Sequence, residues 1–287
     1  MEWANAIVQG TLLGGLYALF AAGLSLIFGV MRLVNIAHGD MIVLAAYLGL
    51  SVTSIMGLHP LMALLIVVPC MGVIGYVLQR GILNQTLGKD ILPPLLVTFG
   101  LSVIIQNALL EIYSADAQKM DAGTIEIASI SVAGLSLGIL PLLTFATAVF
   151  VIASLQWAFY KTAIGRAFRA VSDNQEIAQL MGLNRRHVFG LAMALALMVT
   201  AIAGILLGIR TSFDPSIGGG RLIFAFEAVI IGGLGNLWGT LAGGVILGVA
   251  QTVGAKIDPG WQLLAGHIAF LVILAVRPNG LFPRISE

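Results

Sequence analysis

Residues 28–49 read FGVMRLVNIAHGDMIVLAAYLG. Two apolar runs flank a heptad, VNIAHGD at 34–40, that spends Asn35, His38 and Asp40 where hydrocarbon would offer them no partner. The fold turns on what those runs are buried in. Hydrophobic residues make up 59% of the 287 and charged residues 9%, with a mean hydropathy of +1.03, more apolar surface than a soluble domain can hide. The chain reads as an integral membrane protein. Its net charge of +1 gives no sign of a nucleic-acid partner, and its single cysteine, Cys70, excludes an internal disulfide. The opening MEWANAIVQG lacks a basic n-region and runs on into a long apolar stretch, as a retained first span does.

A helix needs roughly 20 apolar residues to cross the hydrocarbon. Runs that meet or approach this fall at 5–30, 36–57, 60–79, 91–111, 139–159, 187–209, 222–236, 238–255 and 261–276. The 222–236 run is short and broken by glycine, so the expectation is roughly eight or nine crossings. None of the runs alternates apolar with polar residues as barrel strands do. The expected fold is an all-α single transmembrane domain over 1–287.

Positive charge next to the spans sets orientation. The 160–187 connection holds Lys161, Arg166, Arg169, Arg185 and Arg186, the 80–90 connection holds Arg80 and Lys89, and the tail holds Arg277 and Arg284; these are expected to be cytoplasmic. The 112–138 connection carries Asp116, Asp121 and Glu126 against one Lys119, and Glu2 leads the chain; these are expected outside. Nine alternating crossings fit, with the N-terminus out and the C-terminus in. Eight require one Gly-rich stretch to be re-entrant.

The opening stretch has an expected counterpart, FAFEAVIIGGLGNLWGTLAGGVILG at 224–248, which also sets an acidic residue and an Asn beside glycines before a Gly/Ala-rich helix resumes. An interrupted helix leaves backbone groups unpaired, which is tolerated only where protein or a water-filled cavity receives them. Transporters built from two related halves place such elements along the substrate path. Gly10 and Gly14, Gly204 and Gly208, and Gly235, Gly239 and Gly243 recur at four-residue spacing and are expected to let helices approach closely.

Within YKTAIGRAFRAVSDNQEIAQLMGLNRRHV, Ser172 or Asp173 is expected to cap a short surface helix. Gln175 and Glu176 fall in its first turn, Ile177, Leu180 and Met181 share a face, and Gly182 closes its end. Such a helix either lies on anionic headgroups or docks a cytoplasmic protein. Glu176, Ala178 and Gly182, with Gly165 and Arg166 upstream and GLN at 182–184, resemble the cytoplasmic coupling loop of ATP-binding-cassette importer permeases. Five pieces in order, GLSLIFGVMRLVNIAHGDM at 23–41, LLVTFGLSVIIQN at 95–107, GRAFRAVSDNQEIAQLMGLN at 165–184, FEAVIIGGLGNLWGTLAGGVILG at 226–248 and RPNGLF at 277–282, resemble the branched-chain amino acid permease family of the LivH type. One departure is Ile177, where the broad importer pattern has alanine.

The resemblance implies a permease for branched-chain or other amino acids or small related solutes, in a bacterial-type plasma (inner) membrane. It also implies partners: a second homologous permease, two cytoplasmic ATP-binding subunits and an extracytoplasmic solute-binding protein, with membrane lipid around them. The chain is then a transport subunit and not an enzyme, with no cofactor of its own. Gly88-Lys89 is followed by Asp90 and lacks the Walker A glycine spacing, so ATP hydrolysis falls to partners.

For the heptad two readings stand. Asn35, His38 and Asp40 line the translocation route, or they sit at the membrane surface, where Asp40 pairs with Arg32 and Asn35 caps the next helix. No second His or Cys stands near His38 to make a metal site. Thr98, Ser102 and Gln106 form a polar stripe suited to interhelical hydrogen bonds or a cavity wall. Glu227 needs Asn236, Arg221, water or a partner subunit to meet it. An ion-coupled carrier or a channel would share the broken helices, but a carrier usually shows more ionisable groups within its spans and a channel has no use for a docking helix. No HExxH, paired Asp or Ser-His arrangement marks an intramembrane enzyme.

Overall fold

The computed structural model describes residues 2–87, 92–132 and 135–282. Lys89, Arg284 and the Gly88-Lys89-Asp90 stretch lie outside them. The main helices are α1 (Glu2–Met31), α2 (His38–Met56), α3 (Pro60–Leu78), α4 (Leu92–Tyr113), α5 (Ile139–Lys161), α6 (Ala163–Asp173), α7 (Gln175–Leu180), α8 (Arg185–Arg210), α9 (Gly218–Gly232), α10 (Leu237–Ile257) and α11 (Gln262–Val276). A two-stranded antiparallel hairpin, β1 (Ser129–Val132) and β2 (Leu135–Gly138), pairs Ser129 with Gly138 ahead of α5.

Eight helical segments among the described residues are long and apolar enough to cross a membrane. Two of them form the centre: the most apolar window of α1 is 83% buried and that of α8 78%, against 17% for α4 and 6% for the segment containing α11. Bare backbone explains how the centre closes. A Cβ on Gly14 would collide with Val245 and Gly244, and one on Gly248 with Gly10, so α1 and α10 pack antiparallel at glycine distance. Gly239 and Gly243 press against Gly232 and Ala228 of α9 in the same way. Gly235, expected on that face, instead lies in the turn before α10 with φ 78°.

Contacts fix two faces. On the first, Gln9 Nε2 donates to Ser136 O at 2.6 Å, Lys256 pairs with Glu2 at 2.5 Å, and Gln118 exchanges backbone bonds with Phe213. Its 114–128 connection is latched by Glu126, which accepts from Lys119 Nζ at 2.5 Å and from Ala122 N at 2.7 Å. The Lys119 bond holds the Glu126 carboxyl below the usual carboxylate range. On the second, basic face, Ser172 Oγ donates to Gly29 O at 2.7 Å and Asn84 Nδ2 to Arg186 O at 3.1 Å. A π-helical turn at Gln79–Leu83 ends α3 there.

The chain alternates between the faces. Helix α8 ends at Arg210 on the hairpin face, and the next long helix, α10, starts on the basic face beside Gly29. The 211–217 loop and the 15-residue α9 share the intervening traverse. Glu2 and Arg277 therefore lie at opposite faces.

Candidate functional site

Helix α1 ends at Met31, and Arg32, with a φ of 52°, turns the chain back on itself. The heptad then climbs inward. Asn35 Oδ1 accepts from Ala37 N at 3.1 Å and Asn35 O from His38 N at 3.2 Å, a side-chain turn that starts α2. His38 Nε2 donates to Phe20 O at 2.8 Å. Phe20 stands eleven residues before the end of α1, about 16 Å along a helix rising roughly 1.5 Å per residue. The heptad thus begins α2 near the middle of the bundle, opposite Ala196 and Thr200 of α8.

A second interruption meets it there. After Arg210 the 211–217 loop returns inward from the other face, and α9 starts at Gly218 against Gly39 and Asp40. A Cβ on Gly39 would collide with Gly218 O, and one on Gly218 with Asp40 Oδ1. Two helix N-termini therefore abut at mid-depth, entered from opposite faces. The break that meets the α1-to-α2 break is the α8-to-α9 break at 211–217. The expected counterpart at 224–248 spans most of α9, a turn on the basic face and part of α10, and its Gly-rich packing pattern hid this difference.

Five of the expected residues converge at the break. Asn35 and His38 are fully buried and Asp40 nearly so. Ser102 Oγ donates to Asp40 Oδ2 at 2.5 Å, and Thr98 Oγ1 accepts from Ile36 N at 3.3 Å, so α4 braces the heptad. The alternative pairing of Asp40 with Arg32 is not formed: Arg32 is exposed at the end of α1, and Asp40 lies a half-membrane away from it. Gln106 is half-buried one turn beyond Ser102.

Glu227 and Asn236 lie elsewhere. Glu227 accepts from His267 Nδ1 of α11 at 2.5 Å, not from Asn236 or Arg221. Asn236 caps α10 by accepting from Gly239 N at 2.9 Å and donates to Phe282 O at 2.9 Å. Sequence reading missed His267 and the Tyr17–Gln251 bond of 2.5 Å, and it had Arg221 only as a partner for Glu227. Polar residues one per helix carry no pattern along the chain. Only Gly218-Gly219-Gly220 after Asp214-Pro215 offered a readable signal of a helix start.

On the basic face, α7 stands away from the bundle. Its cap is Asn174, whose Oδ1 accepts from Glu176 N and Ile177 N at 3.0 Å each; the expected caps serve otherwise, Ser172 tying α6 to α1 and Asp173 ending α6. Ala178 is buried, whereas Ile177, Leu180 and Met181 are exposed at 57%, 87% and 79%. Gly182, at φ 86°, lets the chain turn out of the helix, and Leu183 N returns to Ala178 O at 3.0 Å. Gly165 presses on Phe159 O with no room for a Cβ, Arg169 lies 5.0 Å over the Tyr160 ring, and Arg166 and Glu176 are exposed. The result is an apolar knob on a rigid base.

The family model described as branched-chain amino acid transport system / permease component matches residues 6–276. The chain is 27% identical to the high-affinity branched-chain amino acid transport system permease protein BraD of Pseudomonas aeruginosa, over 99% of this chain and 96% of that protein. It is 25% identical to the permease protein LivH of Escherichia coli K12 over the same shares, 99% and 96%. It is also 30% identical to the fructose import permease protein FrcC of Rhizobium meliloti, over 95% of this chain and 81% of that protein. Among solved structures, a chain of PsaBC from Streptococcus pneumoniae in complex with Fab has a similar fold, with TM-score 0.51 and 14% identity over 94% of this chain and 91% of that one.

Proposed function

Because this chain belongs to the branched-chain amino acid transport permease family, and is on that footing the membrane permease of an ATP-binding-cassette importer, we propose that it carries a branched-chain amino acid inward and takes its driving force through α7. The observation that carries this reading is the knob of Ile177, Leu180 and Met181, exposed beside a buried Ala178 on a capped helix at the basic face. An apolar knob on a rigid base fits a groove in another protein, and Arg166 and Arg169 lie on the preceding helix α6. We read the basic face as cytoplasmic, since Lys161, Arg166, Arg169, Arg185 and Arg186 collect there and the 112–138 connection is acidic. The N-terminus is then outside and the C-terminus inside.

The assembly we propose has a second homologous permease, two ATP-binding subunits on the knobs, and a solute-binding protein on the hairpin face. The mid-depth break of Asn35, His38 and Asp40, with Thr98 and Ser102 behind it, lines the route, because unwound backbone at that depth is tolerated where protein or water receives it. The relatives are named for branched-chain amino acids and, in one case, for fructose. Reconstitution with the ATP-binding subunits and the solute-binding protein tests the reading. ATP-dependent uptake of labelled L-leucine, competed by L-isoleucine and L-valine but not by D-fructose, is expected. ATP-independent uptake would overturn it.

A further inference from the structure

On the basic face a cleft of about 430 Å3 opens between the end of α5 and the start of α10, lined by Ala153, Gln156, Trp157, Tyr160, Lys161 and Trp238. Its aromatic side chains are turned outward: Trp157 is 64% exposed, Tyr160 57% and Trp238 45%. Lys161 is the last residue of α5 and Trp238 the second of α10, so the cleft lies where both spans leave the hydrocarbon. Tryptophan and tyrosine favour that level, ring toward the hydrocarbon and N–H or O–H toward the headgroups. Two turns deeper on α5, on the face of Trp157, Phe150 is 71% exposed and carries the apolar surface on toward mid-membrane.

The polar groups of the cleft are unspent. Among the described residues the Gln156 amide, the Trp157 and Trp238 indole N–H groups, the Tyr160 hydroxyl and the Lys161 ammonium make no hydrogen bond or ion pair. Arg169 of α6 lies 5.0 Å over the Tyr160 ring and forms no ion pair there either. A ring under its face leaves the edge of a guanidinium free to donate to an oxyanion. No carboxylate lines the cleft. Thr162 Oγ1 accepts from Gly165 N at 3.1 Å and caps α6, so the elbow that brings Arg169 back over Tyr160 is short and fixed.

We propose that this cleft binds the headgroup of an anionic glycerophospholipid of the phosphatidylglycerol type. The phosphodiester sits between Lys161 and Arg169, the indoles flank the glycerol, and an acyl chain follows Trp157 toward Phe150. The bilayer is what reaches the cleft, since both helices that form it are spans, and basic hollows between spans favour anionic headgroups. Its volume falls within the roughly 300–1,000 Å3 of small-molecule sites. A zwitterionic headgroup would bring its own ammonium to a place that already holds two cations, and is disfavoured for that reason. The inference goes beyond the proposed import function and holds whichever solute the permease carries.

The test reads tryptophan quenching. With Trp3→Phe and Trp261→Phe the two tryptophans left, Trp157 and Trp238, both line the cleft. The purified permease is placed in phosphatidylcholine vesicles holding a minor fraction of phosphatidylglycerol or phosphatidylcholine brominated near the carbonyl end of its chains. A basic residue close to anionic headgroups contributes roughly fivefold in affinity, so brominated phosphatidylglycerol is expected to occupy the cleft at least about fivefold more readily. Lys161→Gln and Arg169→Gln should each lower that preference several-fold, Lys161→Arg should keep it, and inorganic phosphate should not displace the lipid. The converse reporter, Trp157→Phe with Trp238→Phe, leaves Trp3 and Trp261 on the hairpin face and should show little preference. Equal quenching by the two lipids, a preference untouched by both glutamine variants, an equal preference at Trp3 and Trp261, or release by inorganic phosphate would each overturn the site. Quenching needs no transport, so a failed uptake assay would count against the import reading and not against the cleft.

Discussion

Ser102 Oγ stands 2.5 Å from Asp40 Oδ2, tying α4 to the first turn of α2 at the depth where α9 also begins. The bond gives a carboxylate inside the membrane its donor, and it couples a peripheral helix to the break. Asp40→Asn keeps the shape and an acceptor for Ser102 but removes the charge. It should leave assembly with the ATP-binding subunits intact and lower L-leucine uptake at least several-fold. Uptake unchanged within error would return Asp40 to a packing role.

Gly39 and Gly218 press together where the two interrupted elements meet. Gly39→Ala drives a methyl into Gly218 O, and overpacking of this kind costs about 1–3 kcal/mol. Gly219→Ala meets open space. A lowered unfolding temperature and lost uptake for the first, with near-wild-type stability for the second, is the expected contrast. Equal stability of the two variants would show that the two helix starts are not packed as described.

Leu180→Asp replaces the most exposed apolar side chain of the α7 knob without touching the bundle, since Ala178 carries the packing. The variant should insert and fold normally yet lose co-purification of the ATP-binding subunits and all ATP-dependent uptake. An apolar hot spot at an interface contributes at least about 2 kcal/mol. Normal co-purification would place α7 on the lipid surface.

His267 donates to a Glu227 carboxylate that is 4% exposed, while His267 itself is partly open. Removing the donor in His267→Ala leaves the acceptor buried and unsatisfied, at a cost of about 1–3 kcal/mol. Glu227→Gln combined with His267→Ala should recover part of that loss. Thermal unfolding of the two single variants and the double variant measures the coupling, and strict additivity would dissolve the pair.

The Lys119–Glu126 latch gives a pH dependence with a definite sign. The Glu126 carboxyl is held low in the folded chain by Lys119, so its contribution is present above the ordinary carboxylate range and is lost as pH falls through the folded value. The pair is solvent-facing, with Lys119 47% exposed, and is worth about 0–1 kcal/mol. Amide exchange across 118–128 should quicken on acidification and become insensitive to pH over that range in Glu126→Gln.

Much of this was legible in the chain itself. Composition and the apolar runs determined an α-helical membrane bundle, because hydrocarbon forces every backbone group into local pairing and so writes each span as a contiguous stretch of sequence. Helix α7 was legible for a related reason: its cap, its apolar face and its glycine stop are neighbours along the chain. Only the cap was misplaced, by one or two residues, onto Ser172 or Asp173 instead of Asn174.

Tertiary structure alone decided the rest. Nothing local says that His38 reaches Phe20, that Gly39 meets Gly218, or that Glu227 finds His267. These contacts join residues separated by 18 to 179 positions, and each depends on how α2 and α11 pack against α1 and α9. The sequence pointed to the interruption at Asp40; packing brought the start of α9, after the 211–217 loop, against it. A helix records its own hydrogen bonds in its sequence, but the depth at which two helices begin is a property of the neighbours that hold them.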